Sequence, residues 1–231
     1  MASDNGLGTV LVTGGSSGLG AAIAAAVRDD GGTPIVLDVK EPQDGLAFER
    51  VDLSRPREAE AAVRRIADER GGLAAVVTAA GIDSCGDLGD VDGDAWDRVV
   101  TVNLLGTAAV VRAAFPHLER SRGRVVTVAS TLGVRALPAA TAYCASKFGV
   151  VGFTRALAAE SGGRVGVTLL LPGGMQTPFF DDRPEEFKPA PGQHLNRPED
   201  VARTVIFALR QPPGCELREV LVAPATEPSW P

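Results

Sequence analysis

The chain has 231 residues, 45% of them hydrophobic and 23% charged, with a formal net charge of −6 and a pI near 5.0. That composition excludes a disordered chain and suits one large domain or two small ones. An acidic chain without a long Lys/Arg run, and without an apolar run near the about 18 residues of a membrane span, is expected to bind neither nucleic acid nor membrane.

In chain order, short β-branched runs alternate with longer Ala-rich runs. Thr9–Thr13 reads as a buried strand, followed by a helix over Leu19–Asp29 that Gly31 and Gly32 end. Pro34–Val39 is a second strand and Phe48–Leu53 a short third one. Arg55–Arg70 is helical, with Ser54 as N-cap and Pro56 in its first turn. Leu73–Ala80 is a fourth strand, and Asp94–Glu119 reads as one long helical stretch. Gly123–Ala129 is a fifth strand, Tyr143–Ser161 a helix, and Val165–Leu171 a sixth strand. A helix over Pro198–Arg210 and a strand at Glu219–Ala223 complete the pattern.

Continuous apolar strands, each followed by a helix, predict a parallel sheet covered on both faces. With right-handed crossovers this becomes an α/β, doubly wound, Rossmann-type sheet of about seven strands in a single domain, 1–231. Proline is concentrated late: 11 of 16 prolines lie from Pro172 onward. The irregular segment 178–196 reads as a substrate lid. The start, Met1–Val10, lacks the basic and apolar regions of a signal peptide, so a cytoplasmic location is expected. Cys85, Cys144 and Cys215 form no CxxC pair, and two histidines make a poor metal site, so neither disulfide framework nor metal is expected.

The first strand runs into Thr13-Gly14-Gly15-Ser16-Ser17-Gly18-Leu19-Gly20, and a helix follows. Glycines allow a tight turn and close backbone approach to a ligand. The helix N-terminus offers free N–H groups to a diphosphate. The spacing Gly14-x-x-x-Gly18-x-Gly20 is a variant of the dinucleotide fingerprint. Asp38 closes the second strand, where a carboxylate can accept both ribose hydroxyls of an adenosine and repel a 2′-phosphate. NAD is therefore the expected cofactor and NADP the less favoured one, although Lys40 could reach round to a phosphate. Asp52 and Leu53, ending the third strand, can meet the adenine edge.

Tyr143 is the only tyrosine, and Lys147, one of three lysines, lies four residues later on the same helix face. An ammonium beside a phenol favours the phenolate and lowers a pKa of about 10 toward neutrality. A general acid/base works best when it titrates near the working pH.

With these motifs in view, the chain resembles the short-chain dehydrogenase/reductase family in its commonest form. The resemblance rests on Thr13–Gly20, Asp52-Leu53, Ala80-Gly81, Asn103 in VNLLG, Ser130 in VTVAS, Tyr143-Cys-Ala-Ser-Lys147, and Pro172-Gly173 with Thr177. It implies that Tyr143 is the proton donor and acceptor and that Lys147 lowers its pKa and holds the nicotinamide ribose. It further implies that Ser130 hydrogen-bonds the substrate oxygen and that Asn103 holds a relay water. Thr177 and the backbone at Met175 would grip the carboxamide, and Pro172-Gly173 would flank the ring. Gly14, Ser16, Ser17, Gly18, Leu19, Gly20, Ala79, Ala80 and Gly81 would complete the dinucleotide site. The chain departs from the family's Asn-Asn-Ala-Gly after the fourth strand, having Thr78-Ala79-Ala80-Gly81.

The expected activity is NAD(H)-dependent interconversion of a secondary alcohol and a ketone, both small-molecule partners. The alternatives are an NADP(H)-dependent ketoreductase, of 3-oxoacyl type for example, or a non-catalytic dinucleotide-binding sensor. Leu137, Phe179, Phe180 and Phe187 could line an apolar pocket. Arg135 and Arg183 stand isolated and are expected to be solvated. The helix from Tyr143 is apolar on more than one face, which with the resemblance implies a homodimer or homotetramer. The segment Ala225–Pro231 would dock on a neighbouring subunit or fray.

Overall fold

The computed structural model describes residues 6–230. Its strands are β1 (Thr9–Thr13), β2 (Thr33–Asp38), β3 (Ala47–Arg50), β4 (Ala75–Thr78), β5 (Arg124–Val128), β6 (Gly166–Pro172) and β7 (Glu219–Val222). All pair in parallel, in the order β3-β2-β1-β4-β5-β6-β7. After β1 the chain steps outward through β2 and β3, then returns to lay β4 on the other side of β1. Val10 pairs with Pro34 of β2 on one side and with Ala75 of β4 on the other. Loops leaving β1 and β4 therefore diverge, and a crevice opens at the carboxyl ends of these two strands.

The helices are α1 (Gly18–Asp29), α2 (Pro56–Glu69), α3 (Gly93–Val100), α4 (Thr107–Ser121), α5 (Thr141–Ser161) and α6 (Pro198–Leu209). The period-2 alternation of strand side chains divides the core in two. On β1, Val10 and Val12 point to a cluster shared with Ile23 and Val27 of α1 and Val201 and Val205 of α6. Leu11 points to the opposite cluster, shared with Val63 of α2 and Val110 and Leu118 of α4. All three β1 residues are fully buried, which is why the strand reads as an unbroken apolar run. Buried Glu60 links α2 to α4 by accepting from Arg112 Nε at 2.8 Å. Burial alone would raise its carboxyl, but the guanidiniums of Arg112 and Arg57 hold it below its usual value.

Several boundaries differ from the sequence reading. The third strand stops at Arg50. Asp52 then accepts the Ser54 N–H at 2.9 Å, an Asx-type turn that engages Ser54, and α2 starts at Pro56 with Arg55 in the cap position. Tyr143 is preceded by a helical Thr141 and Ala142. The long stretch over Asp94–Glu119 is interrupted by a π-helical turn, Thr101–Gly106, between α3 and α4. Such turns insert a residue and re-aim side chains, and they recur at functional sites. The helical stretch Gly93–Ser121 has the length and apolarity of a membrane span, but 56% of its most apolar window is buried inside the fold, the position of a core helix. The three cysteines are free. Met1–Asn5, where the leader reading begins, lie outside the described residues.

Candidate active site

At the carboxyl end of β1 the glycine-rich turn has no room for side chains. A Cβ on Gly14, where φ is 68°, would stand 2.7 Å from Ala80 Cα, and one on Gly20 would stand 2.1 Å from Gly14 O. Gly18, also at positive φ, lies beneath Thr177, whose Cβ would be 3.2 Å from an added methyl. Ser17 caps α1 without a side-chain hydrogen bond, so the N–H groups of the first turn are left for an anion. Leu19 points away, into the core. Thr13 Oγ1 accepts the Ala80 N–H at 3.1 Å and ties the turn to the loop after β4. The amides that the family usually carries after β4 are replaced by small residues, and Thr78 Oγ1 is left buried without a partner.

Asp38 closes β2 at the rim of this cradle. Its carboxylate accepts from Ser16 N and from Lys40 N, both at 3.1 Å. Two backbone donors thus fix one negative charge beside the turn. Ser16 Oγ bonds Lys40 O. Asp52 sits at the next strand end, partly buried; burial works to raise its carboxyl, and the bonds from Ser54 prevail and lower it. Leu53 turns its side chain into the core. Cradle, uncapped helix start and strand-end acid together have the chemistry to hold a dinucleotide.

The chemistry-bearing residues meet at the same mouth, brought there by β5, the π turn and α5. Ser130 follows β5; its Oγ accepts the Leu132 N–H at 3.1 Å, and the residue lies near enough to the Tyr143 phenol to act on its ionisation. Lys147, one turn along α5 and 4% exposed, donates to Val128 O at 2.9 Å. Its Nζ stands 5.6 Å from the Tyr143 ring centroid. Gly81 leaves the space below: a methyl there would be 3.5 Å from Lys147 Nζ and 3.6 Å from Asn103 Oδ1. Asn103, in the π turn, accepts from Ile82 N at 2.8 Å and donates to Ile82 O at 2.9 Å and Ser146 Oγ at 3.0 Å. Its side chain therefore braces the loop after β4 against α5.

Electrostatically the phenol departs from the expected direction. Burial pushes the Tyr143 phenol above its ordinary value, Ser130 opposes this, and the Asp83 carboxylate adds to the rise. Burial pushes Lys147 down to about 8, with Asp83 opposing. In the protein without cofactor, desolvation outweighs any help the ammonium gives the phenolate.

Sequence reading missed Asp83 and misjudged Arg183. Arg183 Nη2 bonds Asp83 at 2.7 Å, with side chains 18% and 6% exposed, so Arg183 is an anchored group rather than a solvated one. Its guanidinium lies 4.9 Å from the Phe179 ring centroid and 4.7 Å from that of Phe180. Phe179 in turn packs on Tyr143 at 5.6 Å. This pair joins the segment 178–196 to the loop after β4. No local signal announces a pairing of two lone charges 100 residues apart. Arg135 is exposed and lies under Trp230, 5.2 Å from its ring. Leu137 is 48% exposed. Among the described residues no group of three or more His, Cys, Asp or Glu side chains is placed to hold a metal.

Comparison with known proteins agrees with this geometry. The family profile described as short chain dehydrogenase matches residues 8–187. The chain is 33% identical to 2-(S)-hydroxypropyl-CoM dehydrogenase 3 of Xanthobacter autotrophicus over 87% of its length and 88% of that protein's. It is 31% identical to the 3-oxoacyl-acyl-carrier-protein reductase of Thermotoga maritima, over 85% of this chain and 88% of the relative. The ligand-free aldohexose dehydrogenase of Thermoplasma acidophilum superimposes with a TM-score of 0.85 at 27% identity, over 95% of this chain and 93% of that one. A profile match over most of the chain and relatives of about one-third identity along nearly their whole length settle the descent: the chain belongs to the short-chain dehydrogenase/reductase family and is an oxidoreductase acting on CH–OH donors.

Proposed function

We propose that the chain is an NAD(H)-dependent oxidoreductase interconverting a secondary alcohol and a ketone, with Tyr143 as its general acid/base. The observation that carries this reading is buried Lys147, held by Val128 O with its Nζ 5.6 Å from the ring of Tyr143, whose phenol also feels Ser130. The dinucleotide, when bound, supplies the hydride acceptor or donor. Ser130 and Tyr143 are the two donors aimed at the substrate oxygen, where charge develops during reduction. Tyr143 then delivers its proton, or removes one in the oxidative direction. Phe179 covers the phenol and excludes water on the lid side. Lys147 supplies donors toward the nicotinamide ribose. A neutral, medium-sized substrate fits best, because the one guanidinium near the phenol, that of Arg183, is already neutralised by Asp83.

Asp38 supports NAD over NADP, since its fixed charge would face a 2′-phosphate. The NADP(H)-dependent reading has Lys40 in its favour, whose backbone N–H sits on the same carboxylate. α5 presents Phe148, 46% exposed, on the face turned from the sheet, which supports assembly into a dimer or tetramer. Oxidation of NADH against a panel of ketones tests the activity. Tyr143→Phe is expected to lower turnover by about a thousandfold while NADH binding persists. Unchanged turnover in that variant removes Tyr143 from its role. Tight NADH binding without turnover on any ketone favours the sensor.

A further inference from the structure

The segment after β7 does not fray. Glu227 and Ser229 fold back onto the body of the chain and are 8% and 7% exposed. Glu227 Oε2 accepts the Gly174 N–H at 2.8 Å. Its Oε1 accepts from Ser229 N at 3.1 Å and from Ser229 Oγ at 2.7 Å. Ser229 Oγ also bonds Thr131 Oγ1 at 2.8 Å. Glu227 has no cationic partner among the described ion pairs, so three hydrogen bonds from neutral donors hold a buried charge. Such an arrangement is kept only where the geometry is tight. The fit is close: a methyl on Gly173 would stand 2.5 Å from Glu227 Oε2. Gly174 O accepts Asn196 N at 3.0 Å, so the braced residue also carries the far end of the lid.

The two places that this carboxylate and hydroxyl connect are the loop leaving β6, which runs through Gly174, Met175 and Thr177, and the turn that begins at Ser130. We propose that segment 223–230 is a brace across the nicotinamide end of the crevice, in which Glu227 is a positioning residue. It fixes the main chain at Gly174 and, through Ser229, the Thr131 turn beside Ser130. The inference rests on the dinucleotide reading above, because that reading assigns Pro172–Thr177 to the nicotinamide.

The test is Glu227→Gln. The amide has the shape of the carboxylate but presents an NH₂ where two groups of donors require oxygen. The binding of NADH is compared with that of ADP-ribose, which lacks the nicotinamide. The brace predicts NADH affinity about tenfold weaker and ADP-ribose affinity unchanged within about twofold. Hydrogen exchange over residues 172–177 of the cofactor-free protein becomes faster. Equal losses for both ligands, or no loss for either together with unchanged exchange, overturn the proposal. If Glu227→Gln does not fold, Ser229→Ala keeps the bond to Gly174 and removes the link to Thr131. Its expected effect is a lower kcat with NADH affinity retained, and an unchanged kcat overturns the link. Failure of the wild type to bind NADH or NADPH would be a failure of the functional reading instead. The exchange of residues 172–177 then decides the brace by itself.

Discussion

Lys147 Nζ lies 5.6 Å from the centroid of the Tyr143 ring and donates to Val128 O, a main-chain acceptor. The ammonium is therefore held in place independently of the phenol. Its effect on the phenolate is weaker than the desolvation that both groups share, and the phenol lies above its ordinary value. Because Tyr143 is the only tyrosine, tyrosinate absorbance reports this one group. In the cofactor-free protein no tyrosinate should form below about pH 10. Adding NAD⁺, which brings a positive ring to the mouth, should move its appearance to lower pH. A tyrosinate signal near neutrality without cofactor would show that Lys147 alone acidifies the phenol.

The same burial makes folding depend on pH, with opposite signs for the two groups. Lys147 falls from 10.5 in the unfolded chain to about 8. Between these values the unfolded state binds more protons than the folded one, so stability rises with pH. Below about pH 8 the buried ammonium costs the folded state about 3 kcal/mol. The phenol acts above about pH 10, where the unfolded tyrosine ionises first and stability falls. Urea unfolding of the wild type and of Lys147→Met at about pH 7.5 and about pH 9.5 should show the wild type gaining about 2 kcal/mol on the variant at the higher pH. A constant difference contradicts a depressed Lys147.

Asp38 holds one carboxylate between two backbone donors, so its side chain stays at the rim of the cradle, where the proposed reading puts the adenosine ribose. A 2′-phosphate about 4 Å away would be repelled by up to about 4 kcal/mol at a surface dielectric, less after screening. Asp38→Asn keeps the shape and removes the charge. NADPH binding should improve by about tenfold or more, while NADH weakens by about tenfold as its ribose hydroxyls lose a charged acceptor. Dissociation constants for the two cofactors check this. A wild type that prefers NADPH would assign the dominant role to Lys40.

Much of this site could be read from the chain because its parts are local. The glycine-rich turn follows one buried strand and Asp38 ends the next, and Tyr143 and Lys147 share one helix face. Buried parallel strands carry the apolar runs that made β1, β5 and β6 plain. What escaped reading was set by contacts distant in sequence. Asn103 looks like part of one helix over Asp94–Glu119, and only its bonds to Ile82 and Ser146 show why a π turn forms there. Glu227 and Asp83 are lone acids among many. Their roles arise from Gly174, 53 residues back, and from Arg183, 100 residues on. The direction of the Tyr143 shift was misread for a related reason: spacing reveals a neighbouring charge but not the depth at which both groups lie.

The Asp83–Arg183 pair joins the segment 178–196 to the loop after β4 and also acts on the phenol, which makes it testable twice. Removing Arg183 leaves the 6% exposed Asp83 carboxylate without its cation. Loss of one partner from a fully buried pair costs about 3–5 kcal/mol, and the partial exposure of Arg183 brings the expected loss for Arg183→Met to about 2 kcal/mol. Pairing that change with Asp83→Asn should recover part of the loss, because the stranded charge is gone. Phe179 loses its guanidinium cover at the same time, so KM for the ketone should rise more than kcat falls. The electrostatic signs are opposite for the two residues. Asp83 raises the Tyr143 phenol and Arg183 lowers it. Tyrosinate should therefore appear at higher pH in Arg183→Met and at lower pH in Asp83→Asn. Shifts in the same direction for both variants would mean that the lid acts on Tyr143 through burial rather than through charge.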